Sequence, residues 1–239
     1  NELASRVIKP YTIMAVILAA LALLVKFSGL PEIEAESDVE DEGVTDDKKS
    51  SVFQFPNLVF GVIALFLYVG VEVMAGDTIG NFGRSQGIPL SESKNFTSYT
   101  LSAMVIGYIL GILTIPKTIK QETALAISAA IGVLFSIAAI LTSGYTAVLF
   151  IALLGLANAI MWPAIWPLAI HGTGRFLKTA SALLIMAIAG GATLPLVYGS
   201  LADMPSIGSQ NAYWIMVPCY LFILWYAVSG HKIKPKELN

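Results

Sequence analysis

One cysteine stands among 239 residues, and it lies inside a long apolar run. Cys219 has no second thiol to pair with, which excludes an intrachain disulfide framework and a thiol-rich metal site. Charge is scarce as well: Asp, Glu, Lys and Arg make up 13% of the chain against 56% hydrophobic residues. No Walker loop, nucleophile elbow or cluster of metal-ligand residues occurs, so no enzymatic chemistry, cofactor or metal is expected. A nucleic-acid partner is not expected either. Carboxylates are nearly missing from the apolar runs, and the one that lies deep inside such a run, Glu72, is the most informative residue in the chain. An ionisable group at membrane depth is costly unless it faces water, a partner or a ligand.

What the chain does have is apolar length. A bilayer core of about 30 Å takes about 20 helical residues to cross, and runs near 11 to 27, 56 to 76, 95 to 115, 124 to 141, 147 to 170, 178 to 199 and 211 to 229 approach or meet that length. They are continuously apolar and do not alternate every second residue, so they predict helices and not barrel strands. A soluble α/β protein with buried strands would not need seven such runs. The expected class is an all-α membrane protein of seven transmembrane helices, with the lipid bilayer as its first partner.

The basic residues predict the topology. If 28 to 54 is cytoplasmic, that side also holds the 116 to 123 and 171 to 177 loops and the C-terminal tail. With flanking residues, these regions carry Lys26, Lys48, Lys49, Lys117, Lys120, Arg175, Lys178, Lys232, Lys234 and Lys236; the other side carries Arg6, Lys9, Arg84 and Lys94. By the positive-inside rule the C-terminus is cytoplasmic, and seven crossings put Asn1 outside. A chain that starts outside, with neither a methionine nor a signal peptide, reads as a piece of something longer.

The organisation that follows has three parts: a lone span over 1–30, an acidic cytoplasmic linker over 31–54, and a six-helix bundle over 55–239. The linker crowds Glu32, Glu34, Glu36, Asp38, Glu40, Asp41, Glu42, Asp46 and Asp47 into a stretch almost without large apolar residues, the composition of a solvated tether. The six later spans divide as three plus three. Transporters of the major facilitator type build each six-helix half from two inverted three-helix repeats, with the substrate site near the midplane.

On that division the leading helices are 56 to 76 and 147 to 170, and they carry the strongest polar signals. Tyr68 and Glu72 are four apart and share a face; so do Asn158, Trp162 and Trp166. Pro163 and Pro167 remove backbone donors and predict a kink that leaves carbonyls in need of partners. Amides and carboxylates hydrogen-bond hydroxyl groups, and aromatic faces pack on the apolar face of a pyranose, so the set suits a carbohydrate. The competing readings are an interfacial aromatic belt for the tryptophans, an interhelical tie for Asn158 and a structural, hydrogen-bonded carboxyl for Glu72. Gly107 with Gly111, and Gly190 with Gly191, read as faces for close helix approach. His171 and Asp203 read as loop or boundary groups.

Beyond these patterns, Tyr68-Val69-Gly70-Val71-Glu72-Val73 with Gly76 and Asn81-Phe82, then Gly87-Ile88-Pro89-Leu90, resembles the seventh helix and following loop of the fucose-galactose-glucose:proton symporters of the major facilitator superfamily, particularly the bacterial glucose/galactose branch. The likeness runs on through Gly155, Asn158, Ile160-Met161, Pro163 and Ile165, then Gly190-Gly191, Leu194-Pro195, Gly199 and Ala202-Asp203, to Val217-Pro218-Cys219-Tyr220. Pro10-Tyr11 and Leu30-Pro31-Glu32 resemble the ends of that family's sixth helix. The resemblance implies helices six to twelve of a twelve-helix transporter of the bacterial inner membrane, partnered by helices one to five. Its cargo would be a hexose or deoxyhexose moved inward with protons by alternating access, and the proton-coupling carboxylates would lie in the N-terminal half. It implies a substrate site of Glu72, Asn158, Tyr68, Trp162 and Trp166, with Asn81 added from the seventh-helix motif. Two alternatives stay open: a transporter of the same architecture for a non-sugar solute, and a seven-helix receptor or retinal protein. Against the retinal version, the last span has no lysine for a Schiff base.

Overall fold

The computed structural model describes residues 2–27, 51–115 and 117–233. It contains two compact units, Asn1–Glu40 and Asp41–Asn239. The acidic stretch of the expected linker lies outside the described residues. In the first unit a single helix, α1, runs Glu2–Phe27 and holds the apolar stretch Pro10–Leu24. It begins before the expected span and continues through Pro10, where one backbone donor is missing. The Thr12 hydroxyl, two residues further on, bonds the Ile8 carbonyl at 2.8 Å.

The second unit is a bundle. Its elements are α2 (Pro56–Asp77), the short α3 (Ile79–Ser85) and α4 (Leu90–Ser93), α5 (Phe96–Thr114), α6 (Gln121–Leu141), α7 (Gly144–Asn158), α8 (Met161–Ile170), α9 (Leu177–Met186), α10 (Gly190–Ala202), α11 (Gly208–Asn211) and α12 (Met216–Val228). No strand occurs among the described residues. Among the described residues, six stretches are long and apolar enough to cross a membrane, and with α1 they account for the seven expected runs. The chain is a multi-pass membrane protein.

The run expected over 211–229 opens with a turn of tighter helix at Ala212–Ile215 before α12, and two other expected spans are broken, each for a legible reason. The run expected over 147–170 is α7 and α8, interrupted at Ala159–Ile160. Pro163 explains the position: it has no N–H to offer the carbonyl of Ala159, four residues back, and its ring crowds that carbonyl. The run expected over 178–199 is α9 and α10, joined by a turn of tighter helix at Ala187–Ala189. The turn sits just before Gly190 and Gly191, where α10 lies hard against α2. A Cβ on Gly190 would fall 1.9 Å from the Phe66 carbonyl oxygen.

Such close approaches organise the bundle. Helix α2 packs against α7, α8, α10 and α12, and α6 packs against α7 and α12. Along α5, a Cβ at Gly107 would meet Ala159 at 2.6 Å and one at Gly111 would meet Ile160 at 2.5 Å, while on α7 one at Gly155 would lie 2.1 Å from the Thr100 carbonyl. Lipid offers little hydrophobic force between helices, so contact surfaces made close by small residues carry the association.

Amide side chains tie off helix ends. Asn57, buried at the start of α2, donates to the carbonyls of Ala169 at 3.1 Å and His171 at 2.9 Å, which closes the end of α8. Gln210 does the same at the end of α6, donating to Ile140 at 2.8 Å and also to Thr142, while its own oxygen accepts from Gln86 at 3.2 Å. These carbonyls are the ones a helix terminus leaves without an internal partner. At the C-terminal end of the bundle, His231 Nδ1 donates to the Tyr226 carbonyl at 2.9 Å, and its Nε2 lies 3.2 Å from Glu122.

The packing yields a paired prediction. Gly190→Ala forces a Cβ into a backbone carbonyl and should destabilise the full-length protein by about 1–3 kcal/mol. Gly199→Ala on the same helix meets nothing within 4 Å and should stay within about 1 kcal/mol of the original. Thermal unfolding in detergent checks both, and equal melting temperatures for the two variants would contradict the close-packing account.

Candidate functional site

The Pro-interrupted helix and α2 together build the polar centre of the bundle. On α2, Tyr68 is fully buried and Glu72, one turn later, is half-buried. Their shared face is turned toward α8: the Tyr68 ring meets the Trp162 ring edge-on, with centroids 6.4 Å apart. Trp162 in turn stacks on Trp166 at 5.8 Å, with the two planes 23° apart. Both indoles are half-buried, and with the buried Tyr68 they make one run of ring contacts across two helices.

Asn158 lies at the end of α7, immediately before the break, and is completely buried. Its Oδ1 accepts a hydrogen bond of 2.8 Å from the Tyr220 hydroxyl on α12. Its Nδ2 is buried without a hydrogen-bond partner among the described residues. An amide with one end bonded and the other unpaired is unusual at this depth, because an unmet buried donor costs about 1–3 kcal/mol. Glu72 stands near the phenols of Tyr68, Tyr108 and Tyr220. Carboxylate, phenols and amide therefore occupy one neighbourhood drawn from α2, α5, α7 and α12.

The proline pattern has a further consequence. Pro163 would normally receive the N–H of residue 167 at its carbonyl, but residue 167 is also proline, so that carbonyl is orphaned. Gln121, the first residue of α6, reaches across and donates its Nε2 to the Pro163 carbonyl, with a longer bond of 3.4 Å to Ala164. The broken helix thus does not leave this carbonyl bare. An apolar cavity of about 210 Å³ opens beside the break, lined by Tyr108, Gly111, Ile160, Pro163 and Gln121 among others.

Of the residues singled out in the sequence, Tyr68, Trp162 and Trp166 come into ring contact, and Glu72 and Asn158 are joined through the surroundings of Tyr220. Asn81 stands apart: it is exposed on α3, beyond the end of α2. Helix α2 stops at Asp77, with Thr78 as its cap, and does not run on to Asn81. His171 and Asp203 are exposed helix-terminal residues. Tyr220, Tyr108 and Gln121 carried no assigned role in the sequence. Tyr220 and Tyr108 had one available signal, a phenol inside an apolar span that must find a partner for its hydroxyl.

Comparison with known proteins agrees with this architecture. No family model matches the chain. The glucose/galactose transporter of Brucella abortus is 32% identical over 236 residues, 97% of this chain and 55% of that protein. The putative glucose/galactose transporter of Helicobacter pylori is 31% identical over 227 residues, 93% of this chain and 54% of that protein. The L-fucose-proton symporter of Escherichia coli is 22% identical over 221 residues, covering 91% and 50%. In structure, the chain resembles a Major Facilitator Superfamily transporter, FucP, in the outward conformation, with a TM-score of 0.76 at 23% identity over 92% of this chain and 53% of that one. The chain spans about half the length of the curated relatives it matches. It is a homologue of these transporters and has the major facilitator fold.

Removing the support of the broken helix should be measurable. Gln121→Ala strands the Pro163 carbonyl and should cost about 1–2 kcal/mol, seen as a lower melting temperature of the full-length protein. An unchanged melting temperature would show that water or lipid headgroups replace Gln121 at no cost.

Proposed function

We propose that this chain is the last helix of the N-terminal half and the whole C-terminal half of a secondary transporter for a hexose or deoxyhexose such as glucose, galactose or fucose. The reading is supported by homology over nearly the whole chain to proteins named for those sugars. The observation that carries it is the aromatic surface of Tyr68, Trp162 and Trp166 beside Glu72 and Asn158. Aromatic rings cover the apolar face of a pyranose, while a carboxylate and an amide bond its hydroxyls. In this assignment Glu72 accepts from sugar hydroxyls, Asn158 bonds a further sugar oxygen, and the tryptophans set the width of the slot.

Helices one to five supply the opposite wall and the groups that carry the coupling proton. Transport proceeds by rocking of the two halves about the central site, driven by the difference in sugar and proton binding between the two conformations. The concentration of Lys and Arg in the 28 to 54, 116 to 123 and 171 to 177 segments and the tail supports a cytoplasmic C-terminus. The membrane is the bacterial inner membrane, and the direction of transport is inward. Asn81, exposed on α3, is the outlying member of the proposed set.

Glu72→Gln in the full-length protein preserves size and hydrogen-bonding shape but removes the charge. A charged hydrogen bond is worth about 1.5–3 kcal/mol, so the KM for labelled hexose uptake should rise by about 10- to 100-fold. Uptake with the original KM and rate would take Glu72 out of the site. Competition by unlabelled hexoses but not by nucleosides or organic anions distinguishes a sugar transporter from one of the same fold with another cargo.

A further inference from the structure

The Asn158 amide is held by one hydroxyl, and that hydroxyl is itself immobilised. Tyr220 is fully buried on α12, and its ring is seated close against Gly132 on α6, where a Cβ would sit 2.5 Å from Cδ1, 2.6 Å from Cε1 and 2.9 Å from Cγ. With no room to shift toward α6, the ring delivers its hydroxyl to Asn158 Oδ1 at 2.8 Å. An asparagine amide has an accepting end and a donating end, and turning it by half a turn exchanges them. The Tyr220 O–H is given to Oδ1, so the amide is held with Oδ1 against the hydroxyl and Nδ2 turned to its remaining surroundings. Nδ2 is the end left without a partner among the described residues.

We infer that Tyr220 is a positioning residue, which fixes the Asn158 amide so that Nδ2 is the ligand-facing donor. Asn158 then recognises an oxygen with a free lone pair on the sugar, a hydroxyl or the ring oxygen, and takes no hydroxyl proton; that task falls to Glu72. The donor is covered in this conformation, so the ligand meets it when the covering side chains part as the two halves rock. This role for Tyr220 rests on the sugar site proposed above. Gly132 takes part indirectly, by giving the ring its seat.

The test is uptake of labelled D-glucose, D-galactose and L-fucose by the full-length protein, with variants compared at equal amounts in the membrane. Tyr220→Phe keeps the ring on Gly132 and removes the hydroxyl; KM should rise about 3- to 10-fold with Vmax within about twofold, because a freed amide presents its wrong end part of the time. Asn158→Ala should raise KM further, and adding Tyr220→Phe to it should change nothing more, since a residue acting only through Asn158 has no effect once the amide is gone. Asn158→Asp supplies an independent reading that leaves Tyr220 intact: it keeps the acceptor for the hydroxyl and loses the donor, so it should behave like Asn158→Ala. An unchanged KM in Tyr220→Phe, a further loss when it is added to Asn158→Ala, or a normal KM in Asn158→Asp overturns the positioning role. A normal KM in Asn158→Ala, or no saturable uptake of any of the three sugars by the unmodified protein, overturns the site assignment and this role with it. A raised KM in Asn158→Ala beside an unchanged one in Tyr220→Phe overturns the positioning role alone.

Discussion

A backbone carbonyl or N–H inside hydrocarbon has no water to fall back on, and each unmet group costs several kcal/mol. In this bundle the demand is sharpest where prolines have removed donors. Pro163 and Pro167 stand four apart on α8 and between them deprive the carbonyls of Ala159 and Pro163 of their helical partners. The chain stops at Ala159–Ile160, restarts as α8, and recruits Gln121 to the second carbonyl. The same need recurs at the helix ends, where Asn57 and Gln210 each cross to another helix to meet its last carbonyls. Three amides thus do at helix ends and at the break what water does at the ends of helices in a soluble protein.

The break has a second effect, on the polar centre. It puts Asn158 at the last turn of α7 and the two tryptophans on the first turns of α8, so amide and aromatic surface adjoin. Helix α2 brings Tyr68 and Glu72 to the same place because α10 lets it in closely at Gly190, and because Gly70 accepts the Leu194 side chain where a Cβ would lie 2.1 Å away. Packing by small residues and tolerance of a broken helix therefore converge on one neighbourhood. A continuous α7–α8 rod would carry the same side chains at different angles.

Much of this was legible in the chain. The number and class of the helices follow from apolar run length, and most expected ends fall within a few residues of the observed ones; α1 is the exception, since its first turns are polar enough to escape a hydropathy criterion. The break in the 147–170 run was signalled by its prolines, although its placement at Ala159–Ile160 required the backbone rule that proline disturbs the residue four positions earlier. The Tyr68–Glu72 and Asn158–Trp162–Trp166 faces were visible as four-residue spacings. Asn81 was not separable from them by sequence, because its exposure depends on α2 ending at Asp77. Tyr220 was passed over for the opposite reason: a tyrosine in an apolar span looks like core until its hydroxyl is seen to have a specific acceptor.

The sequence by itself determined that the protein is helical and membrane-spanning, where its crossings fall, and which polar residues are too expensive to be idle. Those properties are set by local composition, and the bilayer reads composition one segment at a time. Tertiary structure alone decided that Tyr68 touches Trp162, that Tyr220 holds Asn158, and that Gln121 attends to Pro163, contacts that join residues between 42 and 94 positions apart. Such pairings depend on how closely two helices approach and how each is rotated about its axis, and glycine contacts tens of residues away set both. Periodicity within one helix carries no record of them.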